Sequence, residues 1–523
     1  MTTVHRRADP LPDSGRPGFG RLLLSEWAKL RSVRRWTLAL LAAPVLTVLV
    51  SLLAAASSGP GNPDSIVEGP DGTWVQDRFH FVHRPLTGDG SVTTRVSETS
   101  LDFPAAQDDA QAKQIQPPTW TKAGLMIKDG VRPGARYAAV MVTAGHGVRL
   151  QSNFTTDIAG PAVGAPTWLR LTRVGATISA FQSADGVSWT PVGTVTVAGL
   201  PQTVEVGPFV TSPPAFRVQR QFGSGTVAQL PTSTRATFER PTLEPAGAPA
   251  AEPGESGRGW QDDEINDAPV PEIKERTATK PGAAWAGDRL TLTGTGDVAP
   301  RTTSEDTVAQ GLTGIPVGLV ATVAVAVLFV TAEHRHGMLR TTFMATPGRR
   351  RVLAAKALVV GAVAFILGLV AAVTALLVVG PIQRQNGYLP PRYPDWSLTD
   401  AAVLRAVIGT AVVLTAIAVF GMALGSVLRR AAGAVAIVIV LLFLPQLLAT
   451  GLPGAVGTWL MRLTPAAGFT IQQTTPHYDH VSSICLPQDG CAYDQSWAGL
   501  AVCCAYAVAM LVVALWLVRR RDA

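Results

Sequence analysis

Residues 357–379 read ALVVGAVAFILGLVAAVTALLVV, without one charged side chain. A helix needs roughly 20 apolar residues to cross the hydrocarbon core of a bilayer, and this run supplies them. Working outward, five more uncharged stretches lie at Thr37–Leu53, Gly311–Ala332, Ala406–Leu428, Ala431–Ala449 and Trp497–Val518. A charge at mid-bilayer is costly and is kept where ion or proton movement needs it. Uncharged spans therefore point away from a proton- or sodium-coupled pump. The sequence predicts a polytopic α-helical membrane protein with six transmembrane helices, whose energy comes from elsewhere.

Basic residues set the orientation. Arg21, Lys29, Arg31, Arg34 and Arg35 precede the first span, and Arg335, Arg340, Arg349, Arg350, Arg351 and Lys356 separate the second from the third. Arg429 and Arg430 fill the turn between the fourth and fifth, and Arg519, Arg520 and Arg521 follow the sixth. The positive-inside rule then puts both termini in the cytoplasm of a cell lying inside its plasma membrane, with residues 58–310, 380–405 and 450–496 outside. Arg384, Arg392, Arg405 and Arg462 in the short outer loops weaken this bias without reversing it. Ala54-Ala55-Ala56-Ser57 would suit a signal peptidase, but the basic region and apolar core before it are longer than signal peptides use, so a retained anchor is expected. The net charge of +7 comes largely from the Arg clusters. Flanking apolar spans, they serve topology and anionic headgroups rather than nucleic acid.

Between the first two spans the chain changes character. Residues 66–243 alternate short β-type runs with turn signals, the pattern of a sandwich. Trp74, Phe79, Phe81, Trp120, Tyr137, Trp168, Phe181, Phe209 and Phe238 are its expected core. In QSADGVSW, residues 182–189, Asp185-Gly186 allows the positive φ of a tight hairpin, and Trp189 is expected to pack back onto it. His80 and His83 straddle Phe81 near Asp77 and read as surface residues of a strand. Asp89, Asp129 and Asp185 sit in Gly turns and are turn residues before they are calcium ligands. Residues 244–282 are an acidic, Pro-rich linker with too few apolar groups to offset chain ordering. Arg289–Thr295 is strand-like and is expected to rejoin the sandwich before the second span. The resulting layout is a cytoplasmic segment 1–36, a helix 37–57, a sandwich 58–243, linker and strand 244–310, helices 311–518 and a basic tail 519–523.

The runs WTKAGLMIKDG, ARYAAVMVT, GVRLQS, APTWLRLTRVG, ISAFQSADGVSWTPVG and VEVGPFVTS resemble the concanavalin-like, laminin-G-like jelly rolls of bacterial secreted proteins. The resemblance implies an inserted all-β jelly-roll ectodomain, and carbohydrate or cell-wall glycan as a partner. The plainer alternative is an outer cap or protein-docking module. Cys485 and Cys491 fall in the predicted outer loop between spans five and six, where oxidation is permitted, and a disulfide between them is expected. Cys503 and Cys504 lie inside the last span, at a different depth, so no metal site is expected.

Two segments mark the cytoplasmic face. In FGRLLLSEWAKLRSVRRW, residues 19–36, Leu23, Trp27 and Leu30 recur on one side of a helix, with Arg21, Glu26, Lys29 and Arg31 largely elsewhere. That is an interfacial amphipathic helix, with Trp27 and Trp36 at headgroup level. The second segment, TAEHRHGMLRTTFMATPGRRRVLAAK, joins spans two and three. Together they resemble permease subunits of type-2 ABC transporters, especially actinobacterial ones. The recurrent S-E-W-x-K-L-R-S-x-R stands here at Ser25–Arg34, E-[YFH]-R-x-G-[TM]-[LI]-R-[TS]-T at Glu333–Thr342 and P-x-R-x-x-[VL]-x-x-x-K at Pro347–Lys356. LTPAAGFTI, Leu463–Ile471, looks like the outer loop of these permeases. His334 replaces the commoner Tyr, and the large sandwich is outside the common pattern.

The resemblance implies that the interfacial helix, with Glu26, Trp27, Lys29 and Arg31, and the Glu333–Lys356 segment touch separate ATPase subunits. The latter segment would be a coupling helix, in which Gly337 permits a close turn and Glu333, Arg335 and Arg340 make charge-assisted bonds to the partner. Arg349–Arg351 is first a topology signal. ATP and Mg would belong to the ATPase, with no cofactor in this chain, and the permease would pair with itself or a second permease. No G-x-x-x-x-G-K-[ST] occurs, nor any Gly-Lys pair, and no G-x-S-x-G elbow. H-E-x-x-H spacing is absent around Glu333, His334 and His336. The chain is therefore not expected to be an enzyme alone or to carry catalytic residues. Two functions follow: a membrane-spanning permease of an ATP-driven exporter, or a membrane-anchored carbohydrate-binding or sensor protein working through its sandwich.

Overall fold

Apolar composition without strand alternation builds the helical half of the protein. The computed structural model describes residues 18–60, 66–102, 114–162, 167–221, 224–247, 259–266, 280–301, 305–335, 348–482 and 496–520. Helix α1 (Phe19–Ser32) turns at extended Val33 into α2 (Arg34–Ala56). After the β region come α3 (Thr307–Gly311), α4 (Ile315–Arg335), α5 (Arg349–Gln385), α6 (Ala401–Leu428), α7 (Ala431–Gly451), α8 (Gly454–Leu463) and α9 (Ser496–Arg520). Six of them, α2, α4, α5, α6, α7 and α9, are long and apolar enough to cross a membrane. Helix α5 has 37 residues and begins at Arg349, well before the apolar run that marks it in the sequence.

Helix α6 is the most enclosed of the six, with α4, α5 and α9 packed around it. A 3₁₀ segment, Pro465–Gln472, folds back against α6 and α9 with all but Phe469 buried. Close approach elsewhere depends on glycine: a Cβ on Gly314 would lie 2.0 Å from the Thr47 carbonyl oxygen, and Ser51 Oγ accepts a 3.0 Å hydrogen bond from the Gly314 N–H. Helices α2 and α4 thus meet at the point where one leaves for the β region and the other returns from it.

Strict inward–outward alternation builds the other half. One seven-stranded sheet runs, in spatial order, β12 (Thr190–Thr196), β11 (Thr177–Ser183), β10 (Thr167–Val174), β4 (Gly90–Asp102), β16 (Ser233–Pro245), β19 (Arg289–Gly294) and β18 (Gly282–Ala286). The other runs β17 (Gln261–Ile265), β3 (Phe79–Thr87), β13 (Thr203–Thr211), β6 (Lys122–Lys128), β7 (Tyr137–Thr143), β8 (Gly147–Ser152) and β9 (Thr156–Ala159). Val82, Leu125, Val140, Leu150 and Val206 of the second sheet interdigitate with Val92, Leu169, Leu171, Ile178, Phe238 and Leu292 of the first, so the region is a β-sandwich.

Seven of the nine aromatics expected in the core, Trp74, Phe79, Phe81, Trp120, Tyr137, Phe209 and Phe238, are buried, and two are not. Trp168 and Phe181 alternate with buried Leu169 and Ala180 and lie half-exposed on the outer face of the first sheet. Trp189 does fold back, with the Arg170 guanidinium 4.0 Å from its ring centroid. Phe79, Phe81, Tyr137, Phe154 and Phe209 form a second core on the far face of the second sheet. A small sheet of β1 (Val67–Glu68), β2 (Trp74–Asp77) and β20 (Val298–Pro300) contributes Val75 and Val298 to that core. Two ammonium groups are buried beneath it: Lys128 on Asp77 at 2.7 Å and Lys122 on Asp297 at 2.8 Å. A fourth, three-stranded sheet joins β15 (Ser224–Leu230), β14 (Ala215–Gln221) and β5 (Ile115–Gln116).

The linker reading needs correction. Gln261–Ile265, within the stretch expected to be linker, pairs with β3 as an edge strand, while Arg289–Gly294 rejoins the sandwich as expected, pairing with β16 and burying Leu290 and Leu292 completely. The sandwich therefore closes near Pro300 rather than at residue 243, because its alternating strands resume after the acidic stretch.

The sandwich stands on one end of the helix bundle through polar contacts. His480 Nε2 donates to the Phe154 carbonyl at 2.7 Å, and the His480 ring meets Trp120 edge-on. Trp120 is stacked by His146 at 3.8 Å between centroids. Arg301 and Arg392 both lie over Trp74, at 4.5 and 5.4 Å. Asp306 caps α3 and accepts hydrogen bonds from Thr474 and Thr475. Asn386 donates to the Ala55 and Ser58 carbonyls, fixing the exit of α2.

Candidate functional site

At the other end of the bundle four charges from three helices converge. Glu26 of α1 is fully buried, Lys356 of α5 is 2% exposed and Glu333 of α4 is 6% exposed. Lys356 Nζ donates to Glu26 Oε2 at 2.5 Å and to Glu333 Oε1 at 2.8 Å. Lys29, one turn after Glu26, donates to Glu26 Oε1 at 2.7 Å and to Glu333 Oε1 at 3.2 Å. The Phe329 ring centroid lies 4.3 Å from Lys356 Nζ. Burial pulls the half-exposed Lys29 ammonium down, but hydrogen bonds and charge from the two glutamates outweigh it and leave it above the ordinary lysine value.

Local sequence explains each member's position. Leu22, Glu26 and Leu30 follow one another at four-residue steps and form the buried stripe of α1. Leu22 packs on Val352 and Ala355, and Leu30 joins Leu40, Phe329, Val330 and Leu353. Trp36 meets Phe329 edge to face at 5.8 Å. The early start of α5 carries Lys356 two turns inside a helix, level with the end of α4. Two buried carboxylates face two ammonium groups, so the cluster is neutral as a whole. A buried ion pair repays its desolvation only when well bonded, whereas removing one partner costs about 3–5 kcal/mol. The cluster therefore does less to stabilise the fold than to fix which face of α1 points inward.

That face differs from the expected one. Trp27 is 44% exposed and Arg31 is exposed, while Glu26, read as a polar-face residue, is inside. Glu333 likewise points into the bundle and is bonded to lysines of this chain, rather than presenting its carboxylate outward to a partner. Arg335 is the last residue of α4. Gly337 and Arg340 lie outside the described residues, as do Cys485 and Cys491. Lys356 entered the sequence reading only as the end of a motif and a basic flank; its partnership with Glu26, across 330 positions, has no local signal.

No family model matches this sequence, and no curated protein matches it. A solved structure of a functionally unknown protein from Saccharomyces cerevisiae is similar over 38% of this chain and 99% of its own, with 17% identity and a TM-score of 0.17. So slight a likeness carries no weight for fold or function.

Proposed function

We propose that the chain is the membrane-spanning permease subunit of an ATP-driven ABC exporter. Its cytoplasmic face would be the end bearing the four-charge cluster, in agreement with Arg34, Arg35, Arg349–Arg351, Arg429, Arg430, Arg519 and Arg520 at that end of the spans. The observation that carries the reading is the clamping of α1 onto the end of α4 and the start of α5. These two helix ends carry Glu333 and Lys356, the first and last residues of the segment likened to a coupling helix. A push on that segment by a separate ATPase subunit would reach α1, α4 and α5 together. ATP and Mg would be held by that partner, and a second copy or a second permease would complete the path. The test is cross-linked purification of the full chain from its native membrane. A copurified protein with a Walker motif, whose ATP hydrolysis changes on reconstitution with this chain, is the expected result. Recovery of the intact chain with no ATPase, over repeated cross-linkers, would sink the reading.

A second reading gains support from the outward aromatics. Trp168 and Phe181 are half-exposed beside Trp189, with Arg170 across the strand from Phe181 and Arg95 across from Trp168. Arg95 in turn pairs with Glu239 at 2.8 Å. Aromatic faces flanked by paired polar groups suit stacking and hydrogen bonding to a saccharide, so a sandwich of jelly-roll type would hold cell-wall glycan here. Retention of the full chain on insoluble cell wall, lost on Trp168→Ala, is the expected outcome; equal retention of the variant would remove this reading.

A further inference from the structure

Two arginines flank the aromatic patch on the outer face of the first sheet, and their charges are handled differently. Arg95 of β4, beside Trp168 in the register, donates from Nη1 to Glu239 Oε2 at 2.8 Å, and Glu239 also takes Arg289 at 3.3 Å. That side of the patch is a closed set of ion pairs. Arg170 of β10 stands on the same face, two residues along the strand from Trp168, or about 7 Å. Its Nε donates to the Thr93 hydroxyl at 3.2 Å, and its guanidinium carbon lies 4.0 Å from the Trp189 ring centroid. Among the described residues these are the partners of the guanidinium, and neither is an acid.

Its surroundings hold this guanidinium still without neutralising it. A cation stacked on an indole keeps its charge, and fixing Nε leaves the two terminal nitrogens as a planar, two-pronged donor. The hairpin that carries Trp189 is itself braced: Gly186, at φ +78°, lies so close to the Trp168 indole that a Cβ there would stand 3.0 Å from it. The acid of that hairpin, Asp185, is turned into its own loop, where Oδ1 accepts from the Ser183 hydroxyl and from the Val187 and Ser188 N–H groups. Arg170, Trp168 and Phe181 are all half-exposed. A fixed guanidinium fork without a counter-charge, beside aromatic rings, is complementary to a planar anion on a ligand that also has a ring face to stack.

We propose that the saccharide taken by the sandwich is acidic, a uronic-acid glycan whose ring carboxylate is gripped by the Arg170 fork while a neighbouring sugar ring lies against Trp168 and Phe181. The proposal rests on the saccharide reading above and adds the charge of the ligand and the residue that selects it. Neutral hydroxyl groups have the paired Arg95 and Glu239 to bond with. A carboxylate takes both prongs of Arg170 at once, which a hydroxyl cannot do.

Titration of the full chain in phosphatidylcholine nanodiscs with oligogalacturonate and oligoglucuronate, each against its methyl ester, tests this, since esterification removes the charge and keeps the rings. In at least one series the acid should bind at least about tenfold more tightly than its ester, the gain expected of a charge-assisted pair. R170Q should bind acid and ester alike, and R170K, which keeps the charge and loses the fork, should lose most of the preference. W168A should weaken acid and ester together. R235Q, at an exposed position two strands away in the same sheet, should keep the preference, which separates the fork from general basicity. Equal affinity for acid and ester in the wild type, an undiminished preference in R170Q, an equal loss in R235Q, or failure of both acids to bind overturns the proposal. Retention on insoluble cell wall decides the saccharide reading independently.

Discussion

Replacing Lys356 with methionine keeps the length of the side chain and removes the buried one of the two ammonium groups that both glutamates share. Glu26 would keep only Lys29, whose side chain is 38% exposed, and Glu333 would keep the longer 3.2 Å contact to the same lysine. Uncovering a buried charge in this way costs about 3–5 kcal/mol, or roughly a hundred- to several-thousand-fold in the equilibrium for keeping the three helices together. The least costly relief is for α1 to lift off, carrying Glu26 to water, because α4 and α5 are held by their neighbours along their whole length. Leu22 reports on this, being 8% exposed and packed on Val352 and Ala355. In membranes, a cysteine at Leu22 should react slowly with a maleimide in the parent chain and at least about a hundredfold faster with K356M, on the lower bound of that cost. Mass spectrometry of the labelled peptide separates it from the native cysteines. The exposed control R31M should change little, within about 0.5 kcal/mol. Adding E26Q to K356M should restore part of the protection, since the orphaned charge is gone. Unchanged labelling in K356M, or equal labelling in R31M, would refute the clamp.

The docking of the sandwich onto the bundle should loosen in acid. Burial, with Lys122 nearby, lowers His480 below the ordinary histidine value against the partial support of the Phe154 carbonyl, so the docked ring is neutral. Its contribution is present above the ordinary value and is lost as pH falls through the lowered one; exchange at 473–482 should rise on acidification and become pH-independent in His480→Gln. The sandwich boundary is also testable. Residues 66–301 should unfold cooperatively as a soluble fragment, whereas 66–243 should not, because it lacks buried Leu290, Leu292 and the Asp297 partner of Lys122. Equal thermal transitions in the two fragments would contradict the assigned closure.

Length and hydropathy made the helical half legible: each apolar run became a long helix, though the second begins only at Ile315, after a turn at 312–314, and the third reaches back to Arg349. Alternation likewise revealed the strands up to residue 243. What it could not reveal was pairing at a distance. Two stripes of α1 share Leu30, the expected one through Leu23 and Trp27 and the observed one through Leu22 and Glu26. Local hydrophobicity favours the first, and only Lys356 and Glu333, hundreds of residues away, favour the second. His83, expected at the surface, was misread for the same reason: it is buried between Glu205 of β13, at 2.7 Å, and Asp263 of β17, at 2.9 Å, the latter in a stretch whose composition argues against any strand. Trp168 and Phe181 show the converse: an aromatic in an alternating strand announces a face, not which face is covered.

The hydrogen bond from Gly314 to Ser51 joins positions 263 residues apart. Closing an unstructured loop of that length costs about 5 kcal/mol of chain entropy, comparable to what a single close helix contact returns. In the folded protein β2 pairs with β20, which brings the two ends of the inserted region side by side. That pairing holds the start of α4 beside the end of α2, so the two helices need not find each other across an unstructured loop. The β region thus acts as an assembly jig for the first two long apolar helices, and a folding lesion far out in it would first be visible as a separation of α2 from α4.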